Sequence, residues 1–121
     1  MKSAVQPYPQ LWYRHRAQKK QRSEKKRVQL VAQVEAALAA LERRYRWDEA
    51  YLFGSITRPH RFGPASDVDV ALCGLNPLDH YAFVGDISAL LNRNVDVVRL
   101  EECPFASTIV NKGVKWVRKQ R

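Results

Sequence analysis

Residues 51–72 read YLFGSITRPHRFGPASDVDVAL, and this stretch indicates what kind of sheet the chain can form. It begins with a short apolar run that ends at Gly54-Ser55, which predicts a buried strand followed by a turn. A loop that contains two prolines comes next. The stretch closes on Asp67-Val68-Asp69-Val70-Ala71-Leu72, where β-branched residues alternate with carboxylates, and this pattern is typical of a second strand.

Asp67 and Asp69 are two residues apart on this predicted strand. They therefore point to one side of the sheet, while Val68 and Val70 point to the opposite, apolar side. Two carboxylates on one strand face repel each other unless a cation lies between them. Mg2+ takes oxygen ligands from one or two carboxylates and completes its shell with substrate phosphates and water. The pair thus predicts a divalent-metal site; a solvated strand face or an Asx turn is the other interpretation of the spacing.

A third carboxylate, Asp96, lies within the apolar run Val95-Asp96-Val97-Val98, which predicts another strand. An isolated buried carboxylate is costly, so Asp96 needs a partner. If its strand lies beside the first acidic strand, three carboxylates converge on one face, and such a set suits two-metal phosphoryl or nucleotidyl transfer. A structural ion pair with Arg93 or Arg99 is the alternative.

Gly54 and Ser55 follow the first predicted strand and form a candidate phosphate site. Glycine lets the backbone approach a ligand closely, free N–H groups at such a turn favour an anion, and the Ser55 hydroxyl adds a donor. Gly-Ser turns after a strand are common, so this feature is weak when taken alone. No GxGxxG motif and no Walker-type phosphate loop is present, so the sequence supports neither of those nucleotide sites.

Helices are predicted on both sides of this stretch. No Pro or Gly occurs between Leu11 and Tyr45, and helix formers dominate there. Within this stretch, an apolar stripe at helical spacing predicts which part of the helix packs on a core. It is formed by Val28, Val31, Val34, Leu38, Leu41 and Tyr45.

A second helix is expected to begin at Asn76-Pro77, as a cap followed by proline at the first helical position. It runs to about Leu91, with Phe83, Ile87, Leu90 and Leu91 facing inward. Residues 95–100 predict a third strand, residues 104–111 a last helix stopped by Gly113, and residues 114–117 fit a short edge strand. We therefore expect an α/β (α+β) domain with a small mixed sheet flanked by helices.

Basic charge is concentrated at the N-terminus of the chain. Residues 1–27 carry nine basic side chains and one acidic one, whereas residues 28–121 carry twelve basic and eleven acidic ones. We therefore divide the chain into a basic N-terminal arm or helix extension, 1–27, and a domain, 28–121. Residues 14–27 place basic side chains all round a helical wheel, which predicts a projecting solvated helix or a disordered arm. Such an arm fits electrostatic nucleic-acid binding without sequence preference, docking on an acidic partner or a plain solvated tail.

Composition excludes several classes of protein. The chain has 121 residues, a formal net charge of +9 and a hydrophobic fraction of 45%, which is ordinary for one soluble domain. No apolar run approaches ~18 residues, and no apolar segment follows Met1-Lys2-Ser3, so we expect neither a membrane span nor a secretory signal. Cys73 and Cys103 form no CxxC pair, and we expect them to be reduced in a cytoplasmic protein.

The order Gly54-Ser55, eleven residues, Asp67-Val68-Asp69 and then Asp96 one helix later resembles the nucleotidyltransferase superfamily that includes DNA polymerase beta. The segments LFGS and SDVDVAL resemble its smallest branch, the minimal nucleotidyltransferases. Prokaryotic members of that branch are often encoded beside a HEPN-domain protein as a toxin–antitoxin pair. The resemblance spans about residues 28–117 and implies the nucleotidyltransferase fold.

The resemblance implies a role for each matching residue. Gly54 and Ser55 match the motif that holds the nucleoside triphosphate, and Asp67 and Asp69 match the paired metal ligands. Asp96 matches the third carboxylate, which in the family helps to bind the catalytic metal and to activate the acceptor hydroxyl.

The loop after Gly54-Ser55 departs from the family pattern. Family loops commonly run Gly-Ser, two residues, then Arg-Gly, whereas here Pro59 follows Arg58 and the loop is one residue longer. We assign Arg58 to the nucleotide site on this match. The departure leaves open whether Arg58, His60 or Arg61 reaches the phosphates.

The resemblance implies a nucleotidyltransferase that uses two Mg2+ ions and ATP. A chain this short leaves little room for an acceptor-binding domain, so an acceptor supplied by a second protein is the economical hypothesis. The family suggests a HEPN toxin that receives AMP on a hydroxyl such as that of tyrosine, which would make this chain its antitoxin. The alternatives are a non-catalytic antitoxin that acts by occlusion, and a stand-alone transferase for RNA or a small molecule.

Overall fold

The computed structural model describes residues 10–60, 62–63 and 66–117. Its elements follow the predicted order, and the short edge strand is present. The helices are α1 (Gln10–Leu41), α2 (His80–Leu91) and α3 (Ala106–Lys112); the strands are β1 (Glu49–Phe53), β2 (Val68–Cys73), β3 (Val95–Arg99) and β4 (Val114–Trp116). Short 3-10 turns span Gly54–Thr57, Pro77–Asp79 and Leu100–Glu102.

The strands form a mixed sheet in the order β3-β2-β1-β4. β1 is antiparallel to both β2 and β4, whereas β2 is parallel to β3. Because two parallel strands need a crossover, the chain passes through α2 between β2 and β3. The predicted mixed sheet flanked by helices is thereby confirmed.

The main core lies on one face of the sheet, beneath α1 and α2. Val68, Val70 and Leu72 of β2 are fully buried on this face, as their alternation with polar residues predicts. Phe83 of α2 lies at the centre of the core, with its ring centroid 5.7 Å from that of Trp47 in an edge-to-face arrangement. The opposite face carries a smaller apolar cluster around Tyr51, Ala71 and Ile109.

The long predicted helix is confirmed as α1, but the prediction for Val28 is wrong. Val34, Leu38, Leu41 and Tyr45 are buried, and Val31 packs at the edge of the core. Val28 is 55% exposed, and the buried stripe begins at Leu30 instead. Two residues along an α-helix correspond to more than half a turn, so Val28 and Leu30 lie on opposite sides.

α2 begins as predicted and differs in one inward-facing residue. The Asn76 side chain accepts a hydrogen bond from Leu78 N at 3.0 Å, which is the expected cap, although the first turn is 3-10. Phe83 and Ile87 are fully buried, and Leu91 packs against the core. Leu90 is 56% exposed, contrary to the prediction, because a spacing of four from Ile87 leads to Leu91 rather than to Leu90.

The basic segment is helical rather than disordered. Residues 14–22 are exposed on all sides, which confirms a projecting solvated helix for this part of the arm. α1 runs without a break through residue 27, where we place the division between arm and domain. Residues 1–9 of the predicted arm lie outside the described residues. Within the part that the structure describes, no helix is long and apolar enough to cross a membrane.

Candidate active site

The three predicted carboxylates come together at one end of the sheet. Asp69 and Asp96 are direct neighbours in the parallel register of β2 and β3, and adjacent strands lie about 4.8 Å apart. Asp67 precedes β2 and lies two residues from Asp69, on the same side of the strand. All three are on the face opposite the main core. The two strands that carry the carboxylates, β2 and β3, are therefore adjacent.

Burial and like charge act together on Asp69. This carboxylate is half-buried, while Asp67 and Asp96 are exposed. Its burial, followed by the negative charges of Asp96 and Asp67, raises the pKa of Asp69 from 3.8 to about 6. Among the residues that the structure describes, none of the three carboxylates belongs to an ion pair. Uncompensated carboxylates with a shifted pKa are typical of functional sites.

Arg93 and Arg99, the two alternative partners for Asp96, bind elsewhere. Arg99 forms an ion pair with Glu102, with its Nη2 at 2.7 Å from Oε2. Arg93 donates from Nη2 to the carbonyl oxygen of Ser66 at 3.3 Å. These contacts favour the metal-ligand interpretation of Asp96 over the ion-pair interpretation.

Gly54 links the turn after β1 to the carboxylates. Its φ of 77° lies in the left-handed region, which favours glycine. A Cβ atom built on Gly54 would overlap Oδ2 of Asp69 and would approach its Cγ to 3.2 Å. Only a residue without a side chain lets the backbone pass this close to Asp69. The turn and the carboxylate therefore belong to one site.

The residues after Gly54 form a compact 3-10 turn. Thr57 Oγ1 donates to the Gly54 carbonyl oxygen at 2.7 Å, and Arg58 N donates to the Ser55 carbonyl oxygen at 3.1 Å. Ser55 is half-buried, directly beside Gly54, whereas Arg58 and His60 are exposed on the loop. Arg61 lies outside the described residues. The choice of phosphate contact among these three basic residues stays a prediction.

The donor set fits a divalent cation in its chemistry. Three carboxylates with no ion-pair partner among the described residues supply the oxygen ligands that Mg2+ prefers, and a cation would relieve the repulsion that raises the pKa of Asp69. In the described part of the chain, no three His, Cys, Asp or Glu side chains are close enough together to form a finished ligand set. The three carboxylates are thus neighbours, and a bound cation could draw them together into one ligand set.

The sequence did not predict a contact between α1 and the loop that follows Gly54-Ser55. Arg27 forms two short hydrogen bonds with Glu24, at 2.9 Å and 2.7 Å, and donates from Nη1 to the Ile56 carbonyl oxygen at 2.8 Å. Glu24 Oε1 accepts a hydrogen bond from His60 N at 2.9 Å. We call these four residues the helix–loop clamp. The Arg27 guanidinium, helped by His60 N, lowers the pKa of Glu24 to about 2.

The clamp holds His60 in an unusual backbone conformation. His60 has a φ of 64°, which is uncommon for a residue with a side chain. Its N–H is the group that Glu24 binds, so the clamp fixes the loop at this point. One signal could have indicated it: Glu24 is the single acid within residues 1–27 and lies three residues from Arg27, the spacing of an ion pair on one helix face.

Comparisons with known proteins show what this fold is similar to. No curated protein matches the chain. A solved toxin–antitoxin structure with AMP-PNP is 22% identical with a TM-score of 0.59, over 71% of this chain and 74% of that one. A solved MntA-HepT toxin–antitoxin mutant is also 22% identical with a TM-score of 0.57, over 71% and 74%. A structure described as a minimal nucleotidyltransferase is 24% identical with a TM-score of 0.59, over 73% of this chain and 93% of that one.

The solved structures show a shared fold, and the family match extends over most of the chain. The polymerase beta nucleotidyltransferase model matches residues 35–121, which include the Gly54-Ser55 turn and all three carboxylates. Because this match covers more than half of the chain, the chain belongs to the polymerase beta nucleotidyltransferase family.

Proposed function

We propose that this nucleotidyltransferase is Mg2+-dependent and moves AMP from ATP onto a side-chain hydroxyl of a partner protein. One observation carries the proposal: Asp69 lies in register with Asp96 and directly against the Gly54 turn. A triphosphate on the turn would place its phosphates beside the carboxylates. This is the arrangement that in-line transfer of a nucleotidyl group needs.

The proposed reaction forms and breaks one bond to phosphorus. The oxygen of the acceptor hydroxyl bonds to the α-phosphorus of ATP, the bond from that phosphorus to the bridging oxygen breaks, and pyrophosphate leaves with the electron pair. Asp67 and Asp69 would hold both Mg2+ ions, and Asp96 would complete the site and draw the proton from the acceptor hydroxyl. Bound Mg2+ would stabilise charge on the phosphate oxygens and lower the pKa of the hydroxyl.

The position of Asp96 supports an acceptor that is a separate molecule. β3 is an edge strand of the sheet, and Asp96 is exposed on it. An acceptor hydroxyl can therefore approach from the open side while Gly54 and Ser55 occupy the other side of the carboxylate row. A hydroxyl that projects from the surface of a partner protein fits this access.

The partner we propose is a toxin of the HEPN type, with this chain as its antitoxin. The support comes from solved structures with this fold, two of which are MntA-HepT toxin–antitoxin structures. A further toxin–antitoxin structure contains AMP-PNP, an analogue of ATP. In the proposal, attachment of AMP to the partner silences its toxicity.

The test is a transfer assay with α-labelled ATP, Mg2+ and the protein encoded beside this chain. We expect label on the partner with the wild-type chain and none with Asp69→Asn. The matched control is Asp79→Asn, which removes a carboxylate at the start of α2 whose side chain makes no capping hydrogen bond. Absence of label with the wild-type chain, across all four nucleoside triphosphates, would overturn the proposal.

A second measurement separates catalysis from occlusion. An Asp67→Asn/Asp69→Asn double variant should still bind the partner and should no longer neutralise it. If this variant binds and neutralises as well as the wild type, the chain acts by contact alone and the proposed transfer is not its mechanism.

A further inference from the structure

A basic groove lies between α1 and the loop that the helix–loop clamp holds. One part is a cavity of about 360 Å³ whose walls include Lys19, Lys20 and His60. The next part is a cavity of about 380 Å³ whose walls include Lys26, Leu30 and Arg93. Ser23 and Phe62 line both cavities, so the two parts adjoin each other. We call the whole feature the basic groove.

The groove carries positive charge that the described residues do not neutralise. Lys19, Lys20 and Lys26 are exposed, and none of them forms an ion pair within the part of the chain that the structure describes. Like charges three or four residues apart on a helix repel each other, as Arg16 repels Lys19 and Lys20, which line the same cavity. A polyanion in the groove would relieve this repulsion.

The floor of the groove is apolar and aromatic. Phe62 is half-buried, and the Arg93 guanidinium lies over its ring at 5.0 Å from the centroid. Leu30 adds a buried aliphatic surface next to it. Sites for single-stranded nucleic acid combine cations along the path of the phosphate backbone with aromatic rings between them. The rings bind the bases, because every base offers a π-face for stacking.

The groove is held in shape without a ligand. Glu24 lies on α1 between Lys20 and Lys26 and accepts a hydrogen bond from His60 N of the loop wall, while Arg27 donates to the Ile56 carbonyl oxygen at the start of the loop. The loop wall therefore cannot swing away from the helix without loss of these hydrogen bonds. A preformed site loses less conformational entropy when its ligand binds.

We propose that the basic groove binds single-stranded nucleic acid, with phosphates on Lys19, Lys20 and Lys26 and one base against Phe62. Two cavities of this size suit successive nucleotide units better than they suit a duplex, and a base must leave its stack to reach Phe62. An acidic protein surface would meet the lysines but would not need the aromatic floor. The helix wall of the groove precedes residue 35, where the family match begins, whereas the loop wall lies within that match.

The test is fluorescence anisotropy with labelled uridine and thymidine oligonucleotides of roughly 12 nucleotides, with the full chain and no ATP. We compare two triple variants that remove the same charge. The groove variant carries Lys19→Gln, Lys20→Gln and Lys26→Gln, which removes the groove lysines. The control variant carries Arg14→Gln, Arg22→Gln and Lys25→Gln. It serves as the control because Arg22 and Lys25 line a shallow depression apart from the groove. Circular dichroism checks that both variants keep α1.

We expect the groove variant to lose at least tenfold in affinity. The slope of log K against the logarithm of the salt concentration should become shallower by about 2, since each lost phosphate contact contributes about 0.7. The control variant should lose less than threefold. Phe62→Leu should weaken binding by about tenfold with an unchanged salt slope, because it removes stacking and no charge. A lower Kd for the uridine than for the thymidine strand would assign the ligand to RNA, and the reverse would assign it to DNA.

Three results would overturn the proposal. The first is an equal loss in the groove and control variants, which would indicate attraction to the whole arm. The second is an unchanged affinity in Phe62→Leu. The third is tighter binding of polyglutamate than of either oligonucleotide at the same salt, which would identify an acidic protein as the partner. None of these measurements involves nucleotide transfer, so the outcome does not depend on the proposed function.

Discussion

The two faces of strand β2 differ in what their side chains contribute. Val68, Val70 and Leu72 are fully buried against α1 and α2, while Asp67 and Asp69 on the other face lie among like charges with no ion pair in the described residues. The first face contributes stability through removal of apolar surface from water. The second face lowers stability at neutral pH, since the pKa of Asp69 is raised. One strand thus shows that the carboxylates of the proposed cation site are brought together at the expense of the folded state.

The largest expected effect is on activity. Asp69→Asn keeps the size of the side chain and removes the charge that the proposed Mg2+ site needs. We expect the rate of nucleotide transfer to fall by about a thousandfold or more. In the same variant, the free energy of unfolding at neutral pH should be equal to or higher than that of the wild type. A fall in both quantities would contradict the separation of the two faces.

Phe83→Ala tests the opposite face. Phe83 is fully buried at the centre of the main core, so truncation leaves a cavity and should lower the free energy of unfolding by about 3–5 kcal/mol. Denaturant titration measures this loss. The transfer rate per folded molecule should stay near that of the wild type. The control is Tyr81→Ala on the same helix, where an 86% exposed ring contributes little, and the loss should be within about 0.5 kcal/mol.

Gly54→Ala should reveal the contact between the turn and the carboxylate. The new Cβ would overlap Asp69 Oδ2 and would need a positive φ, so we expect a loss of about 1–3 kcal/mol. The loss should be smaller in an Asp69→Ala background, which removes the overlap and keeps the backbone strain. Gly85→Ala is the control: nothing lies within 4 Å of its Cβ position in α2, and it should stabilise the chain by up to about 1 kcal/mol.

Asp69 should also give the folded chain a distinctive pH dependence. Its pKa is about 6 when folded and 3.8 in the reference state, so the folded state binds more protons between these values. Stability from this group is therefore full below pH 4 and is lost as the pH rises through 6. We expect a fall of about 1 kcal/mol after solvent screening. Denaturant titrations at pH 4, 5, 6 and 7 should show this component in the wild type and not in Asp69→Asn.

The smallest expected effect belongs to Glu24 and has the opposite sign. Its folded pKa of about 2 lies below the reference value of 4.5, so its stabilising contribution is present above pH 4.5 and is lost as the pH falls towards 2. Glu24→Gln should remove this acid-side component and speed amide exchange at His60. A variant whose amide exchange at His60 matches that of the wild type would show that the clamp does not hold the loop.

The sequence predicted the two faces of β2 better than it predicted which residues the helices bury. Alternation in β2 separates the carboxylates from the core residues, because a strand has only two sides. The adjacency of Asp69 and Asp96 was conditional on the strand order, which no local pattern contains. Val28 and Leu90 were predicted inward because they are apolar and close to a stripe, but helical periodicity does not indicate where a helix leaves its core.

The helix–loop clamp shows a different limit of sequence reasoning. Glu24 and His60 are 36 residues apart, and their contact depends on the path of a loop that no local pattern predicts. A helical wheel of residues 14–27 shows basic charge on every side and does not indicate which side a loop will approach. The one acid among them, Glu24, and its neighbour Arg27 are residues that bind the loop.

The contact between Gly54 and Asp69 also limits the order in which descendants of this chain can change. As long as the carboxylate is present, any side chain at position 54 collides with it, so a substitution there is removed by selection on the fold as well as on activity. A lineage that gave up catalysis could replace Asp69 first and Gly54 afterwards. The reverse order passes through an ancestor that is both strained and inactive, so glycine should persist after the carboxylate has gone.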